Sequence, residues 1–383
     1  MIRHIMLLLL TLGMASCSVH APSAKRTNLS LAGAEAVLQQ LWSERQAQLR
    51  EERAAELQAR TIELAGKTLR WEERVFGAAP TIGHSLWISL HGGGNAPPRL
   101  NDRQWTNQIS LYQPAEGIYV APRAPTDTWN LWHEAHIDPM FDRLIENYVV
   151  LRGVNPDRVY LLGYSAGGDG VWQLAPRMAD RWAAAAMMAG HPNEASLLPL
   201  RNLPFALFVG GNDSAYNRNH VAAERAAELA KLREADPGGY DHLARIYPGV
   251  PHWMNRRDAE ALPWMAARTR NPWPQKVVWL QDDVTHTRFY WLAVPVAETK
   301  VGNQIIAEVD AQTIRLTGEV PQGMSLRLSD ALVDLDRPIR VLVNGRKVFQ
   351  GRVIRRAEVI RESLEERADP RTAATAKLTL RWE

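Results

Sequence analysis

The chain has almost no cysteine. A single one, Cys17, among 383 residues excludes an intramolecular disulfide, so packing and polar contacts must hold the fold. An excess of charge is missing as well: 45 basic and 42 acidic residues leave a net charge of +3 and are mixed along the chain. Without a basic stripe to track phosphates, nucleic acid is not an expected partner. The apolar run at residues 5–12 is too short for a membrane-spanning helix, which needs ~20 residues. What is present is an ordinary globular composition, 46% hydrophobic and 23% charged, in a chain longer than a single core usually supports. One large domain and a smaller one are expected.

Arg3 and His4 ahead of the apolar run give the layout of a secretory signal. Met14-Ala15-Ser16-Cys17 resembles the lipobox of bacterial lipoproteins: a medium apolar residue, two small residues, then cysteine. That resemblance implies a signal peptide at 1–16, a diacylated Cys17 as the mature N-terminus and a lipid-anchored linker at 17–30. The expectation is an exported cell-envelope lipoprotein facing the periplasm or the cell surface, touching the membrane only by its lipid. A cut after Ala21 would instead put Pro22 next to the cleaved bond, where proline is poorly tolerated.

Residues 31–66 are rich in Ala, Leu, Glu, Gln and Arg and predict one long N-terminal helix. Its apolar positions thin out beyond Leu38, Leu41 and Trp42, so it is either a solvated stalk or packed along one edge. Over 67–270, short apolar or alternating runs such as HSLWISL, GIYVAPR, RVYLLGY and PFALFVG are bounded by Gly or Pro and alternate with helical stretches such as VAAERAAELAKLREA. This predicts an α/β domain on a doubly wound, mostly parallel sheet, with its ligand site at the carboxyl ends of the strands. The prolines of TRNPWPQK end the pattern. Residues 271–383 read as a small mostly-β domain, from the strand-like RFYWLAVPV to the closing AKLTLRW, with a type I′ hairpin turn at Asn344-Gly345 and one late charged helix. No residue there marks a site. A recognition role and a structural, edge-covering role fit it equally.

Gly163-Tyr164-Ser165-Ala166-Gly167 fits G-x-S-x-G, preceded by an apolar strand and followed by a helical segment, the context in which a serine is presented on a sharp turn. An acyl-transfer serine needs an oxyanion hole. One donor is expected from the N–H of Ala166 and another from Gly93 or Gly94 in His91-Gly92-Gly93-Gly94, which closes an earlier strand. Serine also needs a base held in its tautomer by an acid. Asp213 follows the strand PFALFVG and His252 follows ARIYPGV, in the chain order serine, acid, histidine. His191 breaks that order and is placed in the pocket instead, His220 and His242 read as solvated or capping residues, and Asp169 lies too near Ser165 to orient a distant imidazole.

These motifs carry a resemblance. Residues 67–270 look like the α/β-hydrolase superfamily, and LHGGGNAP, GYSAGGDGVWQLAPRM and GVPHW are similar to secreted esterases related to poly(3-hydroxybutyrate) depolymerases and to feruloyl-type esterases. Phospholipase/carboxylesterase-like proteins are a further relative. The resemblance implies Ser165 as nucleophile, Asp213 as acid, His252 as base, no metal or organic cofactor, and an ester-bearing small molecule or polymer as substrate. Candidates for the pocket are His91, Trp129, Trp132, Tyr164, His191 and Trp253, although His91 is read as propping up the glycine loop rather than titrating in catalysis, and the tryptophans also fit packing beneath long loops; Arg123 and His133 either meet a substrate carboxylate or are solvated. The expected protein is a cell-envelope serine hydrolase that cleaves a carboxylic ester. The same residues would serve a peptidase of the oligopeptidase kind, and the contrasting reading is a largely non-catalytic envelope binding protein.

Overall fold

The computed structural model describes residues 28–382, so the signal segment 1–16, Cys17 and most of the linker 17–30 lie outside the described residues. Helix α1 (Leu31–Ala59) starts at Ser30, whose hydroxyl accepts the Gly33 N–H at 3.1 Å. It ends sooner than its composition predicts. Arg60 is left-handed (φ 52°), and β1 (Thr61–Leu64) turns back through Ala65 and Gly66 (φ 50° and 72°) to pair antiparallel with β2 (Lys67–Phe76). The expectation of one helix over 31–66 is thus corrected: Ile62, fully buried in the main core, draws these residues into the sheet edge.

The elements that follow are β3 (His84–Leu90), α2 (Pro98–Ile109), β4 (Gly117–Arg123), α3 (Ile137–Arg152), β5 (Val154–Tyr164), α4 (Ala166–Arg177), β6 (Ala184–Met188), β7 (Phe205–Gly210), α5 (Arg218–Ala235), β8 (His242–Tyr247) and α6 (Ala261–Ala266). They build an eight-stranded sheet in the order β1-β2-β4-β3-β5-β6-β7-β8. Pairing is antiparallel from β1 to β4 and parallel from β4 to β8. Strands β6 and β7 are buried at every position, which is why their sequences are continuous apolar runs and not alternating ones. The loops after β3, β5, β7 and β8 leave the same end of the sheet.

Beyond it, β9 (Lys276–Leu280), β10 (Arg288–Phe289), β11 (Leu292–Ala293), β12 (Gln304–Asp310), β13 (Thr313–Gly318), β14 (Ser325–Leu328), β15 (Ile339–Val343), β16 (Arg346–Gly351), α7 (Ala357–Glu366) and β17 (Ala376–Thr379) form the C-terminal region. It holds a five-stranded sheet, β16-β15-β13-β12-β9, and a four-stranded one, β10-β11-β14-β17. Pairing is antiparallel except between β13 and β15. Asn344 and Gly345 (φ 47° and 81°) make the expected primed turn of the β15–β16 hairpin. RFYWLAVPV is not one strand but the short β10–β11 hairpin, folded at Tyr290 (φ 51°).

One apolar core runs without a break from the large sheet into both smaller ones. Helix α1 spans the two regions: Ala34 and Leu41 cluster with Ile360 and Leu364 of α7, and Leu49 with Val150 of α3. It is edge-packed, not a stalk. Ion pairs cross the seam between the regions: Arg367 to Asp180 at 2.6 Å, Asp369 to Arg270 at 2.8 Å, and Arg371 to Asp157 at 2.7 Å. No helix among the described residues is long and apolar enough to cross a membrane.

Candidate active site

Ser165 joins β5 to α4 with φ 59° and ψ −123°, a conformation few non-glycine residues adopt. The turn is tolerated because its neighbours lack side chains. A Cβ on Gly163 would lie 2.2 Å from the Gly167 carbonyl oxygen, and one on Gly167 would lie 2.1 Å from that of Leu90. The Ser165 N–H donates to the Met188 carbonyl at 2.9 Å, tying the turn to the end of β6.

The three residues expected to act together meet at this rim. His252 Nε2 is 3.1 Å from Ser165 Oγ, and His252 Nδ1 is 2.7 Å from Asp213 Oδ2. The Asp213 side chain is 1% exposed and that of His252 41%, so the acid is shielded while the imidazole edge meets the cavity. Arg218 Nη1 stands 3.6 Å from the other Asp213 oxygen. With Nδ1–H donating to Asp213, the imidazole presents Nε2 as an acceptor for the serine proton.

Helix α4 begins at Ala166, whose N–H has no intrahelical acceptor and sits at the positive end of the helix dipole. Gly93 lines the cavity, and its N–H has no acceptor among the described residues. Gly94 is corrected as a hole donor, because its N–H donates to Asn101 Oδ1 at 2.9 Å. Asn101, which no sequence motif singles out, also donates to Asp127 Oδ1 at 2.7 Å and so fixes the glycine loop.

A cavity of about 1040 Å³ opens over Ser165, with Trp129, Tyr164, His191 and Trp253 in its lining as expected. Tyr216, Arg218, Asn193, Arg256 and Asp169 line it too. His91 and Trp132 do not. His91 is fully buried, accepts the Ala124 N–H at Nε2 (3.1 Å) and contacts the Gly92 carbonyl at Nδ1 (2.6 Å), and burial lowers its pKa to about 4. Trp132, also fully buried, donates Nε1–H to the His91 carbonyl at 3.0 Å. Both brace the glycine loop from behind, as expected of His91, which corrects their placement as pocket residues. Arg123 is buried against Asp102 and Asp127, and His133 is buried as well, so neither meets the cavity. Asp169 accepts the His191 N–H at 2.6 Å, and burial raises its pKa. His220 is exposed on α5, and His242 Nδ1 lies 2.9 Å from the Tyr240 carbonyl.

Tyr164 does more than line the cavity. Burial pushes its phenol well above the usual range, so the O–H stays protonated; it donates to the His252 carbonyl at 2.5 Å and accepts the Met254 N–H at 3.0 Å. The residue before the serine thereby clamps the loop that carries the histidine. Nothing in the sequence signals this, since the position is the free one of G-x-S-x-G.

Sheet order and the sharp serine turn give the chain the fold of the α/β-hydrolases, with serine, histidine and aspartate hydrogen-bonded at its rim. The Dienelactone hydrolase family model matches residues 119–283. A protein of Nocardia uniformis subsp. tsuyamanensis named "Putative esterase NocK" is 28% identical over 169 residues, covering 40% of this chain and 48% of that protein. The chain therefore spans about half the length of that curated relative. Among solved structures, a thermostable esterase is similar over 55% of this chain and 62% of its own, with 20% identity and a TM-score of 0.45. A carboxylesterase from Mesorhizobium loti is similar over 54% of this chain and 99% of its own, with 19% identity and a TM-score of 0.37.

Proposed function

We propose that the chain hydrolyses a carboxylic ester through an acyl-enzyme. Ser165 Oγ attacks the ester carbonyl carbon as its proton passes to His252 Nε2, while Asp213 holds the imidazolium that forms. The carbonyl oxygen becomes an oxyanion, stabilised by the Ala166 and Gly93 N–H groups and the α4 dipole. Collapse breaks the bond to the alcohol oxygen, which takes the proton from His252. Water then attacks the acyl group, gives a proton to His252, and the acid leaves as Ser165 regains its hydrogen. The observation that carries this reading is the continuous line from Asp213 Oδ2 through His252 to Ser165 Oγ, with contacts of 2.7 and 3.1 Å.

The substrate is an ester-bearing small molecule or polymer, a reading supported by a large cavity with aromatic side chains from three loops, Trp129, Tyr216 and Trp253. The protein is proposed to be an envelope lipoprotein anchored through Cys17, supported by the basic start, the apolar run and the Met14-Ala15-Ser16-Cys17 motif; a diacylglycerol adduct on Cys17 in the membrane fraction is the expected mass-spectrometric result, and an intact Met1 in the cytosol would contradict it.

Fluorophosphonate labelling and a series of p-nitrophenyl esters test the reaction. Label on Ser165 with ester turnover, both absent in Ser165→Ala, is the expected outcome. A folded wild-type protein that takes no label and cleaves no ester would contradict it.

A further inference from the structure

The C-terminal region reaches the cavity indirectly, through a cluster of buried charges. Asp138, in the first turn of α3, is 1% exposed. Its Oδ1 accepts Arg177 Nη2–H at 2.8 Å, and its Oδ2 lies 2.8 Å from Nε2 of His286, a residue of the C-terminal region. The Arg177 side chain is wholly buried; its Nη1 donates to the His133 carbonyl at 3.0 Å and lies 3.4 Å from Oδ1 of Asp283, also C-terminal. Asp138 and Arg177 compensate each other's charge, but the second carboxylate oxygen is satisfied from outside the α/β region. The loop 281–287 that supplies His286 is itself closed, with the Gln281 side chain donating to the His286 carbonyl at 2.7 Å and accepting the His286 N–H at 2.9 Å.

What the cluster holds is loop 124–136. His133 is anchored by its carbonyl to Arg177, and its ring meets the Trp129 ring edge-on, with centroids 5.4 Å apart and planes at 80°. Trp129 lines the cavity yet is 61% exposed, so its position rests on few contacts, and the His133 ring is its aromatic partner. The proximity of Arg177 and burial together keep His133 neutral, with burial lowering its pKa to about 4, so the ring is an apolar prop and not a second cation.

We propose that loop 281–287 of the C-terminal region is a specificity element of the cavity: through Asp138, Arg177 and His133 it fixes the Trp129 wall against which substrate is positioned. His286 and Asp283 are positioning residues, remote from the reacting atoms. The region thereby has a role in substrate recognition without contributing a side chain to the cavity. The kinetic part of the test rests on the ester reading above; the exchange part does not.

In the full chain, His286→Ala is expected to raise KM for p-nitrophenyl butyrate about tenfold with kcat within about twofold of wild type, because the wall moves and the serine, histidine and aspartate do not. His286→Gln, whose amide can still donate to Asp138, should restore KM. Trp129→Ala should raise KM by itself, and adding His286→Ala should then change nothing further; independent, additive effects would overturn the proposal. Hydrogen exchange should quicken in 124–136 in His286→Ala and stay unchanged in 250–256. Unchanged exchange in 124–136 would overturn the brace even if the protein cleaved no ester, so the two readings fail separately. If His286→Ala does not fold, Asp283→Asn carries the same measurements at a half-exposed side chain, and wild-type KM and exchange there would also overturn the proposal.

Discussion

At the rim of the large sheet, Ser165 is held at φ 59° and the His252 side chain is 41% exposed; at the seam with the C-terminal region, Asp180, Asp369, Arg270 and Arg367 are all buried and paired. Both places concentrate polar groups, but to opposite ends. The rim keeps a strained serine and a solvent-accessible imidazole available for proton transfer, and so contributes little to stability. The seam pairs its charges with one another and turns them into a join between the α/β region and the segment after α7. On the proposed function, reactivity and cohesion rest on different polar clusters, and each is expected to break without the other.

The largest effect separating them is at the rim. Ser165→Ala should lower kcat by about 10⁴-fold or more, with the thermal midpoint unchanged in calorimetry, since among the described residues the hydroxyl hydrogen-bonds only to His252. A large drop in the midpoint would mean the serine is structural. At the seam, Arg367→Met removes the partner of Asp180 and should cost about 3–5 kcal/mol in denaturant unfolding, while turnover per folded molecule stays near wild type. Lost turnover in the folded fraction would show that the two clusters are not separable.

The seam should also titrate. Burial pushes the Asp180 carboxyl up, but Arg367, Arg288 and Arg181 outweigh it and hold the pKa down from 3.8 to about 2. A carboxyl lowered by folding gives stability that is complete above its unfolded value and is lost as pH falls through the folded one. The unfolding midpoint should therefore drop between about pH 4 and pH 2, and the slope should be shallower in Asp180→Asn; equal slopes would remove Asp180 from the account. The smallest effect is expected from Tyr164→Phe, which keeps the ring in the cavity wall and loses both hydrogen bonds to the histidine loop. About a tenfold fall in kcat with little change in KM is predicted by steady-state kinetics. A raised KM with full kcat would make Tyr164 a wall residue only.

The same contrast explains what was legible in the chain. The elbow is local: Gly163, Ser165 and Gly167 lie within five residues, and their steric need is written in the motif, so the rim was readable together with Asp213 and His252 from strand order. Parallel strands such as β6 and β7 announced themselves as continuous apolar runs ending in glycine. Contacts made by distant side chains were not. Asn101 taking the Gly94 N–H, Trp132 turning inward to the His91 carbonyl, and the Tyr164 hydroxyl clamp each depend on where a loop lies in space. The seam joins residues 157 and 180 to 367–371, and no periodicity links them. Helix propensity misled at 60–64 because a buried Ile62 and a two-residue turn outweigh composition there.

The most direct measurement of the central claim is a rapid quench of the wild-type protein with a p-nitrophenyl ester, followed by peptide mass mapping. An acyl group on Ser165, appearing with a burst of p-nitrophenol and absent from Ser165→Ala, is the predicted result. Steady ester hydrolysis with no adduct on Ser165, or an adduct on another residue, would contradict it.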